Sequence, residues 1–222
     1  MNTHILDRFV DYYLDPHSDK TIIKTNENIM PHVNISFTKG VLNFNRFISH
    51  VSSVNETSII PKGEIRLKPS QRIAITIGLA GIKELSIICD NNQIFRFDTN
   101  THHLKTIDTI KLNKLNIHSG QYYNIDLMVD LKALHIDNRP FSSIKVVGNT
   151  DQMDIKSERK GTIDASNLRA CNTSFSVYQS SDKQINSSCQ LSGFAKTQSK
   201  IVNHSKASQN DIVLISANYS EI

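Results

Sequence analysis

The stretch Leu131-Lys132-Ala133-Leu134-His135-Ile136-Asp137-Asn138-Arg139-Pro140-Phe141-Ser142-Ser143-Ile144-Lys145-Val146-Val147-Gly148 decides the fold. It gives one short phrase twice: an apolar residue, two others, an apolar residue, one other, an apolar residue. The first copy is Leu131, Leu134 and Ile136, and the second is Phe141, Ile144 and Val146. Upstream the phrase reads Leu112-x-x-Leu115-x-Ile117 and Ile82-x-x-Leu85-x-Ile87. Downstream it reads Thr150-x-x-Met153-x-Ile155 and Ala165-x-x-Leu168-x-Ala170, with a degenerate Cys189-x-Leu191-x-Gly193. From Leu115 the central residues step by 19 to Leu134, by 10 to Ile144 and by 9 to Met153. Two steps of about ten make a coil of roughly twenty residues. A unit that short cannot bury its apolar face alone and must stack on its neighbours. The expected fold is therefore all-β: a β-solenoid whose inward residues form ladders from coil to coil.

The composition fits this reading. The 222 residues include 29 Ile, 25 Ser and 21 Asn, against 8 Gly, 5 Pro and no Trp. β-Branched residues suit the ladders. Asn, and more weakly Ser, suit the corners, because their side chains bond nearby backbone and Asn tolerates left-handed conformations. Expected corners are Asn91-Asn92, Ser119-Gly120, Asp137-Asn138, Gly148-Asn149, Ser180-Ser181-Asp182 and Asn186-Ser187-Ser188. Alternation also predicts strands at Val33–Phe37, Val41–Phe44, Ile65–Leu67 and Ile73–Ile77, with a loop over 50–62. The competing architecture is a β-sandwich or jelly roll, which would need antiparallel hairpins.

The first residues read differently. Ile5, Leu6, Phe9, Val10, Tyr13 and Leu14 fall on one face at helical spacing, Thr3 is placed to cap the segment, and Pro16 ends it. A short N-terminal α-helix is expected within residues 1–20, packed on the body and capping one end of a single solenoid domain over 21–222. Its polar face holds Asp7, Arg8, Asp11 and Asp15, too acidic for an anionic membrane surface. No apolar run is long enough to span a bilayer, and the opening residues lack the apolar stretch of a signal peptide.

The stretch Gly161-Thr162-Ile163-Asp164-Ala165-Ser166-Asn167-Leu168-Arg169-Ala170 resembles the head GIN domain family of auto-transporter adhesins, a domain of unknown function. That family repeats Gly, an apolar residue, a small pair, then Leu and Ala before a strand, which here is Thr173–Val177. Leu191-Ser192-Gly193 and Ile201 continue the register. The resemblance runs over about residues 72–215 and is best over 128–205. The family's Ser-Gly-Ser-Gly turn is replaced by Ser180-Ser181-Asp182, so this is a degenerate member. The resemblance implies a right-handed parallel β-helix, an adhesive role in the cell envelope or outside the cell, and no catalytic residues to transfer.

Candidate chemistry is sparse. The charge is +4, with Lys and Arg mixed among Asp and Glu; the densest basic cluster, Lys62, Arg66, Lys68 and Arg72, reads as an exposed strand face, so no nucleic-acid partner is expected. His102-His103 would point to opposite faces of a strand, while His118 and His135 read as solvent-facing, so no metal site is expected. Cys89, Cys171 and Cys189 form no C-x-x-C pair and read as thiols, with one disulfide left open. There is no phosphate-binding loop and no G-x-S-x-G elbow. Adjacent coils could bring Asp126 or Asp137 near Lys145 or Asp154, the pairing a polysaccharide-cleaving β-helix would use. Tyr122-Tyr123 is the one adjacent aromatic pair of the solenoid region. Six N-x-S/T sequons, at Asn34, Asn55, Asn172, Asn186, Asn203 and Asn218, follow from the Asn and Ser content. The expected function is a non-enzymatic, adhesin-like or structural module, without cofactor, that binds a protein or glycan or assembles with itself. The alternative is a carbohydrate-active β-helix enzyme.

Overall fold

The structure is a computed structural model and describes residues 2–5, 10–24, 35–38, 41–44, 73–89, 102–179, 182–205 and 212–217. The described residues hold strands and no helix. In chain order the strands are β1 (Asn2–Ile5), β2 (Val10–Asp15), β3 (Ile22–Lys24), β4 (Ile35–Thr38), β5 (Val41–Phe44), β6 (Ile73–Gly78), β7 (Glu84–Cys89), β8 (His102–Thr106) and β9 (Ile110–His118). They continue as β10 (Tyr123–Asn138), β11 (Ser143–Glu158), β12 (Thr162–Asp164), β13 (Leu168–Tyr178), β14 (Asp182–Ile185), β15 (Ser187–Lys196), β16 (Lys200–Asn203) and β17 (Ile212–Ala217).

These strands wind into a parallel β-solenoid of about five turns. One wall stacks β8, the start of β10, the start of β11, β12, β14 and β16. A second stacks β7, β9, the end of β10, the end of β11, β13, β15 and β17. A short middle segment joins the two walls within each coil, as Ile110–Leu112, Val129–Leu131, Gly148–Thr150 and Leu168–Ala170. Among the described residues two pairings are antiparallel, β3 on β6 and β4 on β5.

The phrase that recurs in the sequence is the interior. Leu112, Leu131, Thr150 and Ala170 form one ladder. Leu85, Leu115, Leu134, Met153, Thr173 and Leu191 form the next, and Ile87, Ile117, Ile136, Ile155 and Phe175 the third. All of these side chains are buried. Phe141 departs from the pattern: it begins its phrase at a corner and is 49% exposed, while Ile144 and Val146 are fully buried.

The expected N-terminal helix is corrected. The described parts of that segment are strands, and they lie inside the stack, not over an end. β1 sits between β5 and β7, and β2 between β6 and β8. Tyr12 and Leu14 point into the core while Asp11, Tyr13 and Asp15 alternate outward. Six alternating residues can fill a vacant rung between parallel strands, and the backbone bonds on both sides outweigh a local helical stripe. The reading of all three cysteines as thiols is corrected too. Cys171 and Cys189, 18 residues apart, form a disulfide between adjacent coils. It clamps the point where the β13–β15 register shifts between Ala170 and Asn172.

Several sequence expectations lie outside the described residues: the strand at 65–67, the loop at 50–62, the Lys62–Arg72 cluster, the Asn91-Asn92 corner, Ser180-Ser181, and the sequons at Asn34, Asn55 and Asn218.

Candidate functional site

The middle segments build a groove on the outside of the solenoid. Each segment is short and bent, so the side chains before and after its last apolar residue splay outward as two rails. On one rail Lys111 stands beside Asp130, and Asp130 beside Asn149. On the other, Asn113, Lys132 and Asp151 follow Leu112, Leu131 and Thr150, and the Lys83 carbonyl accepts the Asn113 N–H at 2.7 Å. Lys83, Lys111, Asn113, Asp130, Lys132 and Asp151 are all exposed. Between the rails the groove is lined by partly buried Ile82 and by the outer edges of Leu112 and Leu131, whose side chains turn into the core. The groove measures about 520 Å³. A second hollow of about 480 Å³ continues it past Ile82 and Lys111 toward His17 and Asp108.

The rails advance one coil per strand spacing, about 4.8 Å. They offer ammonium, carboxylate and amide groups at that step. Such a surface can hold a polyhydroxylated or charged chain by hydrogen bonds and ion pairs. At the far end of the continuing hollow, His17 Nε2 meets Asp108 Oδ2 at 3.0 Å. The hydrogen bond from His17, then that from the Thr109 N–H, holds the Asp108 carboxyl below its ordinary range.

The sequence did not single out these lysines, although the signal is present. Lys83, Asn113, Lys132 and Asp151 each occupy the second position of a phrase. An outward residue there recurs next to the inward residue that starts the phrase, at Leu112, Leu131 and Thr150.

The carboxylates that were singled out are divided between the walls. Asp126 does lie beside Lys145, in the outward ladder Lys105, Asp126, Lys145 and Asp164. Lys105 Nζ is 4.0 Å from Asp126 Oδ2. Alternating charges in a rung-to-rung row stabilise register on an exposed sheet. The Ser166 hydroxyl, donating to Asp164 Oδ1 at 2.6 Å, is the main cause that lowers the Asp164 carboxyl, with Lys145 helping. Asp137 belongs to the second wall, opposite Lys156, where it takes His118 Nδ1 at 3.3 Å and Arg139 at 3.8 Å. Asp154 faces His135 and accepts the Ser174 hydroxyl. The structure therefore sets Asp126 beside Lys145, and places Asp137 and Asp154 on adjacent rungs of the second wall, opposite Lys156 and His135 and not each other. His118 and His135 lie on this wall with ring centroids 6.0 Å apart. His102 and His103 are successive residues of β8. The aromatic pair also separates: Tyr123 is buried and Tyr122 stands at an exposed corner.

One interior residue breaks the apolar pattern without any warning in the sequence. Lys183 occupies the ladder Leu104, Ile125, Ile144, Ile163, Lys183, Ile201 and is 1% exposed. Its Nζ donates to the Gly161 carbonyl and, at 3.2 Å, to the Asp182 carbonyl. Burial pulls its pKa from 10.5 down to about 7.

The stacked parallel coils define a class, the β-solenoid proteins. Within that class, the chain belongs to the family described as "Putative auto-transporter adhesin, head GIN domain", whose sequence profile matches residues 12–207. The fold is similar to a solved adhesin structure, described as putative, from Bacteroides fragilis, at 16% identity and a TM-score of 0.62 over 100% of this chain and 91% of that one. A second such adhesin, from Parabacteroides merdae, matches at 15% identity and a TM-score of 0.59 over 100% of this chain and 91% of that one. A protein described as "Putative lipid binding protein", from Parabacteroides distasonis, matches at 14% identity and a TM-score of 0.58 over 99% of this chain and 91% of that one. No curated protein matches the chain.

Proposed function

We propose that this chain is a non-enzymatic, adhesin-like module of the cell envelope that holds a glycan along the groove between its two rails. The observation that carries the reading is the repetition of outward Lys, Asn and Asp at one place in successive coils, along one groove. A chain-like partner can meet this surface rung by rung, whereas a small substrate would use one rung. Membership of the adhesin family supports the binding role. The envelope location gains separate support from the Cys171–Cys189 disulfide, since such bonds persist in oxidising compartments.

The test is retention of the chain on a panel of immobilised acidic and neutral polysaccharides, compared with Lys111→Ala/Lys132→Ala. The reading expects retention of the parent chain and a loss of at least about tenfold in the variant. Equal retention of the two proteins refutes it.

A second reading, assembly through one end, has its own support. Among the described residues β16 pairs only with β14 and β17 only with β15. The sequence of β17, Ile212-Val213-Leu214-Ile215-Ser216-Ala217, carries no charge or proline of the kind that keeps an edge from pairing. Light scattering decides it: a mass of two or more chains, lost in Ile215→Lys, supports assembly, and a monomer excludes it.

A further inference from the structure

The corner between the two walls carries a regularity that the groove does not use. Tyr122, Phe141, Lys160, Gln179 and Gln198 have φ of 64°, 63°, 51°, 54° and 57°. Each lies 19 residues after the one before. A left-handed conformation costs a non-glycine residue roughly 1–2 kcal/mol, and Gly or Asn would relieve it. None of the five is Gly or Asn. The backbone therefore does not select these residues, and what they share is a long side chain set on the outside of a turn.

Two of the four large hydrophobic residues exposed among the described residues are at this corner, Tyr122 at 38% and Phe141 at 49%. Their rings stack with centroids 5.3 Å apart and planes 5° from parallel. Stacking covers the facing sides of the two rings, and both side chains stay well exposed. A flat interfacial layer needs protruding aromatic side chains with cations beside them. The cations are present. Arg139 is half-exposed and reaches Asp137 at 3.8 Å and Glu158 at 4.0 Å. Arg159 Nε donates to the neutral Gln179 at 2.9 Å. Arg159 and Lys160 are exposed and have no ion pair among the described residues.

We propose that this corner is a membrane-surface contact, in which Tyr122 and Phe141 enter the interfacial layer of an anionic phospholipid bilayer while Arg159 and Lys160 meet its headgroups. The ridge runs along the solenoid axis, so contact through it lays the solenoid flat on the bilayer.

The test is co-sedimentation of the full chain with vesicles of phosphatidylcholine alone and of phosphatidylcholine and phosphatidylglycerol in equal parts. Binding is expected to the mixed vesicles only, and to weaken with salt. Tyr122→Asn/Phe141→Asn keeps residues that tolerate the left-handed turn, so its melting temperature should not fall, and its binding should drop at least about tenfold. Arg159→Gln/Lys160→Gln should lose about thirtyfold. Equal binding to both vesicle types, or binding that the Asn pair leaves intact, overturns the proposal. So does capture by soluble dextran sulfate without vesicle binding, which would make the corner a site for anionic glycans.

Discussion

Phe175 and Gly193 occupy successive rungs of one interior ladder, and the ring fills the space that the missing side chain leaves. A Cβ on Gly193 would stand 2.8 Å from Phe175 Cγ and 2.2 Å from the Phe175 carbonyl oxygen. The φ of Gly193, +150°, adds strain for any other residue. Gly193→Ala is therefore expected to lower stability by about 2–4 kcal/mol. Gly81, also at positive φ but with open space around its Cβ position, is the control. Gly81→Ala should cost only the backbone term, about 1 kcal/mol. Urea unfolding of the two variants checks the difference.

Lys183 makes stability depend on pH. In the unfolded chain its amine holds a proton up to about 10.5, and in the folded one only to about 7. The unfolded state binds more protons between these values, so stability is expected to rise with pH from 7 toward 10.5, by at most about 1.4 kcal/mol per unit, and to be flat below 7 with respect to this group. Lys183→Met should remove this slope and stabilise the protein at pH 7 by about 1–2 kcal/mol. Denaturation at pH 7 and pH 9 measures both effects, and a parent chain no more stable at pH 9 than the variant's own change would contradict the account.

Asp164 acts in the opposite direction. Its lowered pKa contributes stability above the ordinary value of 3.8, and that contribution is lost as pH falls through the folded value. Asp164→Asn should flatten the acid end of the stability profile. Ser166→Ala should do so in part, because the Ser166 hydroxyl is the main cause of the shift.

The Cys171–Cys189 bridge closes a loop across adjacent coils. Reduction, or Cys171→Ala/Cys189→Ala, is expected to lower stability by about 3 kcal/mol for a separation of this length. Melting with and without a reductant tests it, with the double variant showing no further response.

The interior was legible because its ladders need the same residue type at the same place in each coil. Leu115 to Leu134 gave the 19-residue step directly. The first strands were not legible, since Val10 and Leu14, four apart, fit both a helix and a strand. Partners from residues 73–78 and 102–106 decided between them, and no local pattern contains those partners. At the corners, Ser119 and Asn138 are where turn chemistry placed them, and they satisfy buried backbone: Asn138 Nδ2 donates to the Thr162 carbonyl at 3.2 Å. The left-handed residues there, Tyr122 and Phe141, come three positions after Ser119 and Asn138 and are aromatic, against backbone preference. The groove was half legible. Its lining includes the first residue of the phrase, but which outward positions converge depends on the bend of the middle segment.

Binding without cleavage is the central claim, and one measurement addresses it. The purified chain is incubated with the polysaccharides that retain it, while release of new reducing ends or unsaturated products is followed over time. The account predicts retention through the Lys111 and Lys132 groove with no product formed. Product release that persists in Lys111→Ala/Lys132→Ala but disappears in Asp126→Asn would contradict it and make the charged ladder on the first wall an active site.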